Sequence, residues 1–402
     1  MTEVSDNSVS IGRQPVFDEQ KKLWGYELFC VGSQPSAAVQ IQSSAYTCLR
    51  QITDAGKKVI VDFTEKSILD NLPYVLPPKL AAIRVSENTG ENPEFLKSLT
   101  RLKSDGYRVA VHGFTGSTSS AALYQLADII SVDMDPEHRD PASARAEAAR
   151  KYNALLLATG VQNEMHFKSC KELQFALYHG AFFKSPDQVT ARKLSSNEIV
   201  RFKLLQTLET EEFDVSGLAD AIQADVTITV RLLSYLNSAA FAFSQKIKSV
   251  SQAVSLLGAR NVKNWLRVVL LSDMSQSKDS RDLVLLSAQR GLLLESIAKD
   301  HDFWGFAPES LHLLGLFSLL DVLLGVSMSE VVTNLPLDHK MKAALCREPN
   351  NEYIPLLQLA QCLEEARWDD AEKLIQELNL NGDNVKRAFQ ASLNWASELD
   401  SV

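Results

Sequence analysis

Few residues in this chain stand where chemistry could be done. Glu27, Asp62 and Arg84 close or line three successive β-branched runs, Leu23–Val31, Val59–Phe63 and Ala81–Ser86. If those runs are neighbouring strands, the three side chains converge at one mouth, where two carboxylates without a metal would repel. An arginine fork answers both, because it donates paired hydrogen bonds in the geometry carboxylates prefer. The expectation is a structural pairing of Arg84 with Asp62, Glu27 or both; the alternative is an Arg84 that swings into solvent and a mouth filled with water. His301-Asp302 is a second candidate, since such a dipeptide can ligate a metal when an upstream His and a further Asp join it. The nearest upstream histidine is His179, far off in the first half, so Lys299–Trp304 reads as a polar helix end before an aromatic loop. His312 sits in an apolar helical pattern and reads as a core or edge histidine. There is no H-E-x-x-H, no glycine-rich phosphate loop and no G-x-S-x-G elbow. Neither a catalytic residue nor a metal ligand is expected.

The elements that would position these residues change character half-way along. Short β-branched runs (Val9–Phe17, Leu23–Val31, Val59–Phe63, Ala81–Ser86, Tyr107–His112, Ile129–Asp133, Ala154–Ala158, Ala181–Phe183) alternate with amphipathic stretches. Those stretches are Ala37–Ala55, Pro93–Ser104, Ser119–Ala127, Pro141–Tyr152 and Glu164–Tyr178. Strand–helix–strand at this spacing predicts parallel βαβ units. Only Asp18–Lys22 separates the first two runs, which predicts a hairpin and hence an antiparallel opening strand. The sum is a compact (β/α) barrel over about residues 9–193. From Ser195 the apolar residues recur at i, i+3, i+4 and i+7, which predicts an all-helical second half, 195–402. Helix starts are expected after Ser196, Asp214, Ser249 and Asn381, with a stop at Gly258.

Composition narrows the function classes. The chain has 402 residues, is 45% hydrophobic and 23% charged, and carries a formal net charge of −9, so two or three cored domains are expected. Residues 1–193 hold 22 basic and 22 acidic side chains, so the whole excess of acid lies in the second half. Such a half is a poor nucleic-acid binder, because phosphate backbones reward clustered cations. One local exception runs from Val226 to Ser272, which has no Asp or Glu but several Lys and Arg. Lys246, Lys248, Lys263 and Arg267 are candidates for a partly exposed face that docks an acidic protein partner; the alternative is a solvated surface neutralised by nearby helices. The most apolar stretch, Leu311–Val326, is broken by His312 and Asp321, and no membrane span is expected. Met1–Ser10 lacks a signal-peptide pattern, and the five cysteines are scattered without a C-x-x-C. The expected location is the cytoplasm.

The motifs carry a family resemblance. Gln14-Pro15-Val16-Phe17-Asp18 followed by Gly25-Tyr26-Glu27-Leu28-Phe29 resembles the opening of EAL domains, the cyclic di-GMP phosphodiesterase barrels. Ala127–Asp133, Ala158–Val161 and Gly180–Pro186 continue the likeness in order. The second half resembles HDOD modules through Leu218–Ile222, Leu232–Ala239, Ser251–Gly258 and Leu314–Asp321. The chain as a whole is similar to EAL–HDOD fusion signalling proteins. That resemblance implies an α+β multidomain chain, a TIM-like barrel followed by an all-α module.

It also implies a vestigial pocket made of Gln14, Glu27, Asp62, Arg84, His112, Asp133 and Thr159. EAL catalysis is two-metal phosphodiester hydrolysis, which needs several carboxylate or amide oxygens around hard cations. At the positions the resemblance assigns, Asp62 replaces an Asn, Arg84 a metal-binding Glu, and His112-Gly113 a paired Asp. Ser131 replaces the Lys near the attacking water, Thr159 a Glu, His179 a Gln, and Cys30 a phosphate-binding Arg. Two like charges ~4 Å apart repel by roughly 4 kcal/mol at an effective dielectric near 20, so Arg84 opposes any metal there. The expectation is a non-catalytic signal-transduction scaffold working through a protein partner, without cofactor and with cyclic di-GMP an unexpected ligand. A receptor that binds cyclic di-GMP without hydrolysis and a residual metal-dependent phosphodiesterase are the alternatives.

Overall fold

The computed structural model of the chain describes residues 11–30, 56–89, 92–134, 141–184, 225–237, 246–274, 281–301, 305–333 and 337–400. It also describes the single positions 198, 199, 201, 202, 204, 205, 208, 218, 219, 222, 223 and 335. The expected helix at 37–55, the caps Ser196 and Asp214, the 190–196 boundary and Asp302 lie outside them. Two compact units result, Met1–Ser185 with Gln361–Gln376, and Pro186–Ala360 with Glu377–Val402. Residues 361–376 therefore depart from the expected division, which kept all of 195–402 together.

The first unit is a closed barrel of eight strands in sequence order. These are β1 Ile11–Asp18, β2 Leu23–Cys30, β3 Lys58–Asp62, β4 Ala81–Ser86, β5 Arg108–His112, β6 Ile129–Asp133, β7 Leu155–Thr159 and β8 Leu177–His179. β1 runs antiparallel to both neighbours, β2 and β8, and every other pair is parallel. The hairpin is closed by Asp18, whose Oδ1 accepts from the amides of Gln20 and Lys22. One strand differs from expectation. Ala181–Phe183 lies in a 3-10 turn, and β8 comes just before it, overlapping the end of the stretch read as helix. That helix ends at Glu172, after which Gln174 takes a positive φ and turns the chain into β8.

Side chains alternate along each strand, so one set faces the surrounding helices and the other fills the barrel. Val59, Val61, Ile83, Val85, Val109 and Val111 pack outward. Val16, Ile60, Ala82, Ala110, Ile129, Leu157 and Leu177 form the inner ring. Both sets are buried, which is why the strands read as continuous apolar runs.

The second unit contains only helical elements among its described residues. Its longest, Arg281–Asp300, packs against Pro308–Phe317 and Gly382–Asp400. The expected punctuation is present. Ser249 caps Val250–Leu257 by accepting from Gln252 N, Gly258 ends that helix at φ 81°, and Asn381 accepts from Asn384 N. Among the described residues no helix is long and apolar enough to cross a membrane.

Candidate functional site

One step of two residues from the inner apolar ring toward the strand C-termini reaches a second layer, and that layer is polar. Asp62 follows Ile60, Arg84 follows Ala82, His112 follows Ala110, Ser131 follows Ile129, Thr159 follows Leu157 and His179 follows Leu177. On the antiparallel β1 the same layer is Gln14, two residues before Val16, and register pairs it with Glu27 on β2. Period-two geometry alone thus gathers these side chains at the mouth where barrels of this kind carry their sites.

Arg84 occupies the centre. Its Nε donates to Asp62 Oδ1 at 2.5 Å, and its Nη2 to Asp62 Oδ2 at 2.7 Å and Glu27 Oε1 at 2.6 Å. The pairing expected from residue types is present with both carboxylates. Burial by itself would raise the Glu27 pKa, but Arg84, with His179 and His112 behind it, outweighs burial and holds the carboxyl at about 2. Burial likewise works against the charge on Arg84, and Glu27 and Asp62 more than offset it, so its pKa is raised. Glu27 Oε2 and Ser131 Oγ are buried without a hydrogen-bond partner.

The two histidines are neutral partners of this charge. Burial, then the Arg84 cation, push His112 below its ordinary pKa, and burial dominates for His179 as well. Gln14 Nε2 donates to the Glu364 carbonyl at 2.7 Å, which turns its Oε1 toward His179 Nε2, also at 2.7 Å. His179 Nε2 is therefore the protonated ring nitrogen, because an amide oxygen only accepts. One of the seven expected pocket residues stands apart from this group. Asp133 lies one further step up β6 and is exposed, and its backbone oxygen accepts from Arg145 Nη2. Thr159 Oγ1 turns to the Val132 carbonyl at 3.4 Å.

Sequence reading missed Lys184, Glu364 and Glu365. Lys184 Nζ lies 3.2 Å from Glu364 Oε2 and 3.3 Å from Glu365 Oε1. Lys184 fell inside a quoted motif, but Glu364 carried no local signal.

Two cations of the basic stretch are paired with acids from outside it. Arg231 bonds Asp273 at 2.5 Å, and Arg260 bonds Glu295. Lys246 and Lys248 are exposed and Lys263 is half-buried. Arg267 corrects the expectation of an exposed face: it is only 7% exposed and donates from Nη1 to Asn264 Oδ1 at 2.6 Å. Its helix, Ala259–Met274, turns that side inward with Trp265, Leu266 and Leu270.

The mouth does not fit a divalent metal pair. The guanidinium already takes three of the four carboxylate oxygens of Glu27 and Asp62, the Gln14 amide oxygen is engaged by His179, and the rest of the layer offers imidazoles and hydroxyls, not the carboxylates hard cations require. Among the described residues no group of three or more His, Cys, Asp or Glu could hold a metal ion.

Residues 194–320 match the HDOD domain family. An HDOD domain is present. The chain is 27% identical over 409 residues to the uncharacterized protein YuxH of Bacillus subtilis (strain 168), across 97% of this chain and 98% of that protein. It is 25% identical over 405 residues to the cyclic di-GMP phosphodiesterase CdgJ of Vibrio cholerae serotype O1, across 98% and 93%. Among solved structures, an EAL domain protein from Listeria monocytogenes EGD-e is 19% identical with a TM-score of 0.36, covering 46% of this chain and 94% of that one.

Proposed function

We propose that the chain is a non-catalytic signal-transduction protein, in which a barrel of EAL type has exchanged metal chemistry for a structural ion pair and the helical half engages a protein partner. The observation that supports this reading is the Arg84 fork on Glu27 and Asp62. A cation bonded to both carboxylates cannot be replaced by two metal ions without leaving a buried guanidinium beside them. Ser131, Thr159 and the two neutral histidines then have no metal-bound water to activate.

The test is direct. The full chain is incubated with cyclic di-GMP and excess Mn²⁺ or Mg²⁺, and linear dinucleotide is sought by chromatography. No product is expected, and turnover above the protein-free control would overturn the reading. CdgJ, whose likeness spans nearly the whole chain, is named a cyclic di-GMP phosphodiesterase, which favours this dinucleotide as a ligand. In a second reading the barrel, with its fork in place, binds cyclic di-GMP without hydrolysing it. Calorimetric titration separates the two: saturable heat without product favours the receptor, and no heat favours the scaffold.

A further inference from the structure

Residues 361–376 belong to the same compact unit as the barrel, although the chain reaches them only after the HDOD match at 194–320. Their contacts gather at the mouth. Glu364, with a side chain 3% exposed, shares Lys184 with Glu365, and its carbonyl accepts from Gln14, whose other end binds His179 in the polar layer. Glu365 is braced from behind, accepting from Gln361 Nε2 at 3.0 Å and from Arg367 Nε at 3.0 Å. Trp368 lies 6.0 Å from Phe29, centroid to centroid. Phe29 can lie flat across β1 only because residue 12 is glycine: a Cβ there would stand 2.1 Å from the ring.

We propose that residues 361–376 are a built-in stopper of the barrel mouth, held by Lys184, Gln14 and Phe29 where an anionic ligand entering the barrel would have to pass.

Charge supports the proposal from another side. With the segment seated, Glu27, Asp62, Glu364 and Glu365 face Arg84 and Lys184, a surplus of acid that repels a phosphodiester. With the segment withdrawn, its net charge of −3 leaves with it. Glu27 and Asp62 still exceed Arg84 by one, and Lys184, released from Glu364 and Glu365, brings the mouth to neutrality and offers the compact cation that binds phosphate. The stopper thus decides whether the mouth accepts an anion. It does not depend on the non-catalytic reading, since a mouth of either kind can be closed.

Amide hydrogen exchange of the full chain tests it. Glu364→Gln/Glu365→Gln and, separately, Lys184→Glu should make amides in 361–376 exchange about tenfold faster than wild type, while 58–62 and 129–133 keep their protection. The reversed set, Lys184→Glu with Glu364→Lys and Glu365→Lys, should restore slow exchange. If Lys184→Glu also loosens the core strands, the double glutamine variant decides, since it alters no barrel residue. Exchange in 361–376 within about twofold of wild type in the glutamine variant overturns the proposal.

Discussion

Both halves of the molecule bury a carboxylate among cations, and they do so by different means. In the barrel, Glu27, Asp62 and Arg84 meet because adjacent strands lift alternate side chains into one layer. In the helical half, Glu295 takes Arg260 and, at 3.3 Å, Lys299 on one oxygen, and His312 Nδ1 at 3.1 Å on the other. There three helices contribute, and the Glu295–His312 contact depends on two of them crossing at close range. A Cβ on Gly315 would stand 2.5 Å from Arg290 C and Gly291 N, and one on Gly291 would stand 2.8 Å from the His312 carbonyl. Both clusters reach solvent, the barrel one through Asp62, whose side chain is 43% exposed, and the helical one through Arg260, 56% exposed; what is sealed is the Glu295–His312 contact between the helices. The difference separates roles. An ion pair at a mouth stands where a ligand could be handled, while one locked between helices serves the architecture.

The largest break in this comparison is Arg84→Ala. It leaves Glu27 buried opposite Asp62 with no cation between them, and removing one partner of a buried pair costs about 3–5 kcal/mol. Urea unfolding at pH 7 should show that loss, and Arg84→Lys should lose less, because the charge stays while the fork goes.

The pH dependence comes next. The Glu27 carboxyl ionises at about 2 in the fold against 4.5 for the ordinary group. A depressed folded pKa means stability fully present above pH 4.5 and lost as pH falls from there toward 2. At ~1.4 kcal/mol per unit the loss is about 3 kcal/mol. In Arg84→Ala burial is opposed only by His179 and His112, so the Glu27 pKa should rise and wild type and variant should converge as the pH drops below about 4.5. Parallel stability curves from pH 7 to 2 would show that the fork does not set this ionisation.

On the helical side, Gly315→Ala should cost about 1–3 kcal/mol, because the new methyl meets backbone that has no flexible end to yield. The loss should appear in thermal unfolding with Glu27 ionisation unchanged. An unaltered melting temperature would mean the crossing is looser than the contacts imply.

These sites were unequally legible. The barrel polar layer could be read from strand-run endings, because period two carries a residue type straight to a face: Asp62 and Arg84 needed only neighbouring strands. The last strand misled because Leu177–His179 is short and follows an amphipathic helix directly, while Ala181–Phe183 has the apolar look of a strand but forms a turn. Glu295 and His312 lie 17 positions apart on separate helices, and nothing local says that Gly291 and Gly315 bring them together. Glu364 and Lys184, 180 positions apart, meet only through the tertiary fold.

The smallest expected effect concerns the basic stretch, and it sharpens the contrast between paired and unpaired charge. Arg231, Arg260 and Arg267 are committed to Asp273, Glu295 and Asn264, so reversing them removes bonds the fold uses. Lys246 and Lys248 are exposed on the approach to Val250–Leu257, and between them Ile247 is buried, its amide donating to Asn237 Oδ1 at 2.8 Å. The backbone there is anchored by the apolar and amide contacts of Ile247, not by the two ammonium groups. Lys246→Glu/Lys248→Glu should therefore change stability by no more than about 0.5 kcal/mol, while Arg267→Glu, which places an acid among Trp265, Leu266 and Leu270, should cost several times that. If the pair forms part of a docking face, the double lysine variant should weaken capture of an acidic protein partner from lysate while its melting temperature holds. Undiminished capture would assign these lysines to plain surface solvation.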